Sequence, residues 1–171
     1  DAPIAGNGDI GVTMGGGPDS LRFYIGKNDF WRAYPVYPGG IALPGGLDIL
    51  FKELKDASYY AEQLPGSAEI KATFSTKACQ VHLSAWVAAT ANKIIIELRS
   101  DKKQIAHVRL WTVEGNGAIT AHGNSPVTWV SRSFQTTKLL SWPTHIALAM
   151  NTEKDELILN PVSYTHLRAH E

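Results

Sequence analysis

A chain of 171 residues, 44% hydrophobic and 19% charged, can bury one good core, so a single globular domain is the expectation. Its 16 Lys and Arg balance its 16 Asp and Glu, leaving no electrostatic footprint for a nucleic acid or an anionic membrane. No apolar run approaches the ~20 residues of a membrane span, and no signal peptide is visible.

The chain starts at Asp1 without a Met, so its beginning reads as processed or truncated. The stretch GNGDIG, residues 6–11, has the G-x-G-x-x-G spacing of a dinucleotide loop, with Asp29 following where such a site places an acid. That motif has physical content only between a strand and a helix, where a pyrophosphate rests on the helix N-terminus. Both flanks are wrong. The five residues before it, interrupted by Pro3, are too few for a buried parallel strand. The sequence VTMGGGPDSLRFYIGK that follows holds three consecutive glycines and Pro18, at ~1 kcal/mol per glycine and ~3 for the proline in a helix interior. A β-hairpin reads better: a strand over residues 10–14, a turn over 15–19, and a strand over 21–25 with Leu21, Phe23 and Ile25 on one face. Gly6, Gly8 and Gly11 then become loop and bulge residues at the mouth of a sheet.

Residues 28–46, NDFWRAYPVYPGGIALPGG, combine prolines and glycines with Trp31, Tyr34 and Tyr37. A flexible linker would be Gly/Ser-rich and non-aromatic, so this is an ordered loop. Rings held by prolines suit contact with a sugar or peptide; the alternative is a loop packed over the end of the sheet. From Leu47 the pattern has period two, through LDILFKEL, AEIKATFS and CQVHLSAWV, with Val81, Leu83, Ala85 and Val87 on one face. Cys79, the single cysteine, sits in this alternating segment and reads as a buried structural thiol, leaving the redox compartment open. Residues 57–63 fit a short helical turn or an irregular strand. ANKIIIELRSDKKQIAHVRLWTV reads as a long hairpin, with strands over 93–99 and 105–113 around a polar turn at 100–104. Further strands are expected over 127–134 and 144–150. Many strands, Gly/Pro/Asn turns and no long amphipathic helix predict an all-β fold, an antiparallel β-sandwich.

Residues 162–171, VSYTHLRAHE, follow Pro161 abruptly and continue no strand pattern. They look like translated sequencing-adapter read-through, so the expected domain is 1–161, of a protein running on past Pro161, with 162–171 a non-native tail. His166 and His170 then carry no metal meaning.

Asp9, Asp29 and Asp48 are the carboxylates nearest glycines and loops, and a glycosidase would need two carboxylates ~5–10 Å apart across a cleft. Solvated or turn-capping carboxylates are the plainer alternative. His82 and His107 fall on strands and His122 and His145 near turns, with no H-x-H or H-E-x-x-H spacing, so neither a metal nor another cofactor is expected. No G-x-S-x-G elbow supplies a nucleophile. Trp86, Trp111, Trp129 and Trp142 read as core or sheet-surface residues, and Trp31 as the ring to test.

APIAGNGDIGVTMGGGPDSLRFYIGKNDFW resembles the opening of a group of bacterial glycoside hydrolases, the family 95 α-L-fucosidases and a neighbouring uncharacterised family. GGLDI, SYYAEQL, GSAEIKATFS and QVHLSAWVAATANKIIIELRSD look like the successive elements of the same group, so the resemblance spans roughly residues 2–113 and continues weakly to 161. It implies an N-terminal, mutarotase-like β-sandwich packing against a downstream (α/α)6 barrel. That barrel would carry the catalytic carboxylates, so no catalytic residue is expected in this chain and the chain alone should be inactive. The resemblance places Asn7, Asp9, Asn28, Asp29 and Trp31 toward the sugar cleft or the domain interface, with a carbohydrate and the missing catalytic domain as partners and a periplasmic or secreted address. Asp9 stands where the fucosidases more often carry Arg, and Asn28-Asp29-Phe30-Trp31 replaces their Asn-Glu pair, which leaves the sugar open and makes the uncharacterised family the closer match. The alternative is a free-standing carbohydrate-binding or structural sandwich.

Overall fold

The period-two alternation is realised as two antiparallel sheets that share one hydrophobic core. The computed structural model describes residues 2–32, 40–125, 127–136, 143–151, 156–159 and 165–170. In chain order its strands are β1 (Ile4–Gly6), β2 (Ile10–Gly17), β3 (Ser20–Lys27), β4 (Trp31–Arg32), β5 (Gly40–Ile41), β6 (Gly45–Phe51), β7 (Ser58–Leu64) and β8 (Glu69–Ser75). They continue with β9 (Gln80–Val87), β10 (Lys93–Ser100), β11 (Gln104–Thr112), β12 (Ala118–Gly123), β13 (Thr128–Phe134), β14 (Thr144–Met150), β15 (Glu156–Leu159) and β16 (Thr165–His170). The first sheet has six strands in the order β1-β2-β3-β6-β11-β15; the second has eight, β12-β13-β14-β16-β10-β9-β8-β7. Strands β4 and β5 form a separate small ladder, and a 3-10 turn over Lys52–Leu54 buries Leu54 after β6.

Each sheet turns one set of alternate side chains inward. Ile10, Val12 and Met14 of β2, Leu21, Phe23 and Ile25 of β3, and Leu47, Ile49 and Phe51 of β6 meet Ile70, Ala72 and Phe74 of β8, Val81, Leu83, Ala85 and Val87 of β9, and Ile94, Ile96 and Leu98 of β10. Phe23, Ile49, Phe74, Val81 and Leu98 are 0% exposed, and burial of such a side chain contributes about 1.5–3 kcal/mol. Cys79 is buried as expected of a structural thiol.

Several local expectations change. The hairpin after Ile10 has longer strands: Gly17 pairs with Ser20, so the three glycines belong to β2 and only Pro18 and Asp19 turn. Gly6 and Gly11 are not bulges but pair directly across β1 and β2, and the first residues do form a strand, an antiparallel edge too short to be recognised from its pattern. Of residues 57–63, all but Ala57 belong to strand β7. His122 and His145 lie on β12 and β14. The tail does hold a strand: β16 pairs with β10 and β14. Tyr34, Tyr37 and Trp142 lie outside the described residues.

The largest correction concerns residues 93–113. Strand β10 pairs with β9 in the eight-stranded sheet, whereas β11 pairs with β6 in the six-stranded one, so the segment is an arch between sheets and not a hairpin. Buried Ser100 and Gln104 flank the bend. Gln80 N donates to Asp101 Oδ1 at 2.7 Å, and Asp101 N donates to Gln80 O at 3.1 Å, tying the arch to the start of β9. An arch and a hairpin share the same alternation around the same polar turn; the difference is which neighbour each strand finds.

Candidate functional site

GNGD is the turn between β1 and β2, with strand on both sides, so no helix N-terminus is available for a pyrophosphate. Asn7 builds the turn. Its Oδ1 accepts hydrogen bonds from Asp9 N at 2.9 Å and Ile10 N at 2.8 Å, an Asx arrangement, and Gly8 takes φ of 91°. Its Nδ2 donates to Ala88 O at 2.8 Å, just past the end of β9, so the turn is fastened to the opposite sheet.

The NDFW segment leaves β3 beside this turn. Asn28 N donates to Asp9 O at 2.9 Å, and Asn28 Nδ2 donates to Gly8 O at 3.1 Å. Trp31 Nε1 donates to Asn28 O, which holds an indole that is 43% exposed. Phe30 turns the other way, buried against Phe134 with ring centroids 5.8 Å apart. All five residues singled out in the sequence, Asn7, Asp9, Asn28, Asp29 and Trp31, therefore come together at one end of the sandwich.

The residue that joins them is one the sequence reading passed over. Lys27 occupies the inward register that follows Leu21, Phe23 and Ile25, and is buried. Its Nζ lies 2.7 Å from Asp9 Oδ1 and 2.9 Å from Asp29 Oδ1. Burial pushes the ammonium down, and the hydrogen bonds to Asp29 and Asp9 more than offset this, so it is held above its ordinary value. The signal was available: a cation at the next step of an inward-facing apolar row has to meet an acid or leave the core.

Two cavities meet at Lys27. One, of about 770 Å³, is lined by Gly8, Asp9, Lys27 and Asn28 together with the apolar side chains Tyr24 and Ile41. The other, of about 410 Å³, is lined by Lys27, Asp29, Phe30, Thr144 and His145. Asp9 and Asp29 share one ammonium, which occupies the space that a glycosidic oxygen or an attacking water would need between catalytic carboxylates. The cluster can orient hydroxyl groups and present an indole face; it is not arranged as an acid–base pair.

Asp48 is not part of it. It lies on the outer face of the six-stranded sheet, in register with Arg22 on β3 and Arg109 on β11. Arg22 donates Nε and Nη2 to its two oxygens at 2.7 and 2.8 Å, and Arg109 Nη2 donates at 2.8 Å. Burial pushes this carboxyl up, and the hydrogen bonds from Arg22 and then Arg109 outweigh it, holding Asp48 below the usual carboxylate range. Trp111 covers the neighbouring row of the same face: a Cβ on Gly46 would meet its indole at 2.6 Å, so glycine is what lets the ring lie on the sheet.

Among the described residues no group of three or more His, Cys, Asp or Glu side chains could hold a metal ion, and no helix is long and apolar enough to cross a membrane. No protein-family model and no curated protein matches the chain.

Proposed function

We propose that this sandwich is the non-catalytic, N-terminal domain of a carbohydrate-active enzyme of the glycoside hydrolase kind. In this reading it is mutarotase-like, packs against an (α/α)6 catalytic barrel outside the chain, and lines part of the sugar cleft with Asn7, Asp9, Asn28, Asp29 and Trp31. The observation that carries the proposal is the convergence of GNGD and NDFW on Lys27, which sets Asp9 on a groove of about 770 Å³ and Asp29 on a neighbouring cavity of about 410 Å³, with the exposed Trp31 indole held on the same NDFW segment. An indole face complements the apolar face of a pyranose, and carboxylates accept hydrogen bonds from its hydroxyls. The groove also collects Ile4 at 54%, Ile41 at 57% and Tyr24 at 41% exposure, apolar surface of the kind a second domain covers. Hydrolysis would fall to paired carboxylates in the barrel, because Lys27 stands between those in this chain.

The test combines binding with turnover. The chain is titrated with a panel of mono- and oligosaccharides by tryptophan fluorescence, alongside Trp31→Ala, and is then offered aryl glycosides. The expected result is a saturable change that Trp31→Ala weakens about tenfold or more, a loss of the order of one aromatic contact, with no turnover by either chain. Turnover by the isolated chain would overturn the non-catalytic assignment. A chain that binds no sugar, or binds equally well without Trp31, would remove the sugar-facing role.

A further inference from the structure

Two cations occupy inward registers of this sandwich, and their surroundings differ. Lys27 has Asp9 and Asp29. Arg132 lies between Val130 and Phe134 on the inward face of β13 and is 4% exposed. Its Nη1 donates to Leu43 O at 2.6 Å, and its guanidinium sits 4.9 Å from the Phe134 ring centroid. Among the described residues its buried Nε has no hydrogen-bond partner. Among the described residues no carboxylate pairs with Arg132. The charged group that acts on it is a second cation, Arg32, whose guanidinium is 5.1 Å from the same ring. Burial and then the Arg32 charge pull Arg132 below its ordinary value.

A buried lysine can shed its proton, but a guanidinium keeps its charge under all ordinary conditions. Folds therefore hold buried arginines where an anion joins them. Here the place for the anion exists: a cavity of about 360 Å³ lined by Arg32, Arg132, Phe134, Asn116 and Leu43. A planar guanidinium edge with an unused Nε matches the two oxygens of a carboxylate or phosphate better than it matches a spherical ion.

We propose that this cavity binds a small oxyanion, a carboxylate or a phosphate ester, between Arg132 and Arg32. The site is separate from the Lys27 cluster, and the proposal does not rest on the carbohydrate reading. Phe134 supplies the floor over which both guanidiniums are held, and Leu43 O fixes the orientation of Arg132 before the ligand arrives.

The experiment uses the full chain in a phosphate-free, carboxylate-free chloride buffer. Acetate, glucuronate and inorganic phosphate are titrated in turn, read by calorimetry and by the arginine Nε–Hε resonances, with Arg132→Gln, Arg32→Gln and Arg132→Met in parallel. The expected result is saturable one-to-one binding of at least one probe, a shift of the Arg132 Nε–Hε signal, and about tenfold or greater weakening in both glutamine variants. Selectivity for phosphate over the two acids, or the reverse, identifies the oxyanion class. Without any anion, Arg132→Met should be at least as stable as the wild type, because it removes a buried charge that no carboxylate among the described residues pairs. If Arg132→Gln fails to fold, Arg32→Gln carries the binding test alone. Absence of saturable binding by all three probes, binding that survives Arg32→Gln unchanged, or marked destabilisation of anion-free Arg132→Met would each overturn the proposal.

Discussion

Replacing Lys27 by Met tests the hub of the candidate site, because methionine keeps most of the buried stem and removes only the ammonium. The magnitude follows from exposure. A charge-assisted hydrogen bond is worth about 1.5–3 kcal/mol when desolvated, and less as its partner meets water. Asp9 is 40% exposed and Asp29 72%, so roughly 1 kcal/mol is expected for the first pair and roughly 0.5 or less for the second. Adding the repulsion of two carboxylates left side by side, Lys27→Met should cost about 1.5–2.5 kcal/mol, or about 5 °C in Tm for a domain of this size. Urea unfolding of two double-mutant cycles, Lys27→Met with Asp9→Asn and with Asp29→Asn, separates the pairs. The ammonium is raised above its ordinary value of 10.5, so its contribution is fully present below that value and is lost as pH climbs through the higher folded one. The gap between wild type and Lys27→Met should therefore stay constant through neutral pH and close only in strong alkali. A coupling to Asp29 larger than that to Asp9, or a Met variant as stable as the wild type at neutral pH, would refute the reasoning.

Asp48→Asn should cost about 2–3 kcal/mol at neutral pH, since it removes an acceptor shared by two guanidiniums, both of which retain access to water. Asp48 is lowered from its ordinary 3.8, so its contribution is present above that value and is lost as pH falls through the folded one; urea unfolding below that point should show the variant and wild type converging. Gly8→Ala should cost about 1–2 kcal/mol through backbone strain alone, because φ is 91° and a Cβ there meets nothing within 4 Å, and thermal unfolding would reveal it. Gly6→Ala should cost more for the opposite reason: its Cβ would lie 2.8 Å from Ile10 O.

The all-β character and most inward faces were legible in the sequence, because side chains on a strand point alternately to either side and burial of one side leaves a period of two. That is why Leu21, Phe23 and Ile25, and Val81, Leu83, Ala85 and Val87, are buried as their spacing predicts. The five candidate residues were singled out partly by residue type, Asp9 and Asp29 as carboxylates near glycines and Trp31 as an aromatic in a proline-rich loop, and partly, for Asn7 and Asn28, by a resemblance to a known group of sequences; their meeting at Lys27 appears only in the fold. Short strands such as β1 escaped because three residues carry too little pattern, and β12 because none of its side chains is buried.

Sheet membership was not legible. The alternation on either side of Asp101 is the same whether β10 and β11 pair with each other or with β9 and β6, since periodicity records which face is buried and not which backbone supplies the hydrogen bonds. The fates of the two inward cations were equally hidden. Lys27 and Arg132 break their apolar rows in the same way, but only the packing of the GNGD turn and the NDFW segment brings Asp9 and Asp29 to one of them, while the small β4–β5 ladder and the residues after it place Arg32, Leu43 O and an open cavity beside the other. A charge's partners are set by distances across the fold, and those distances exist only once the chain has closed.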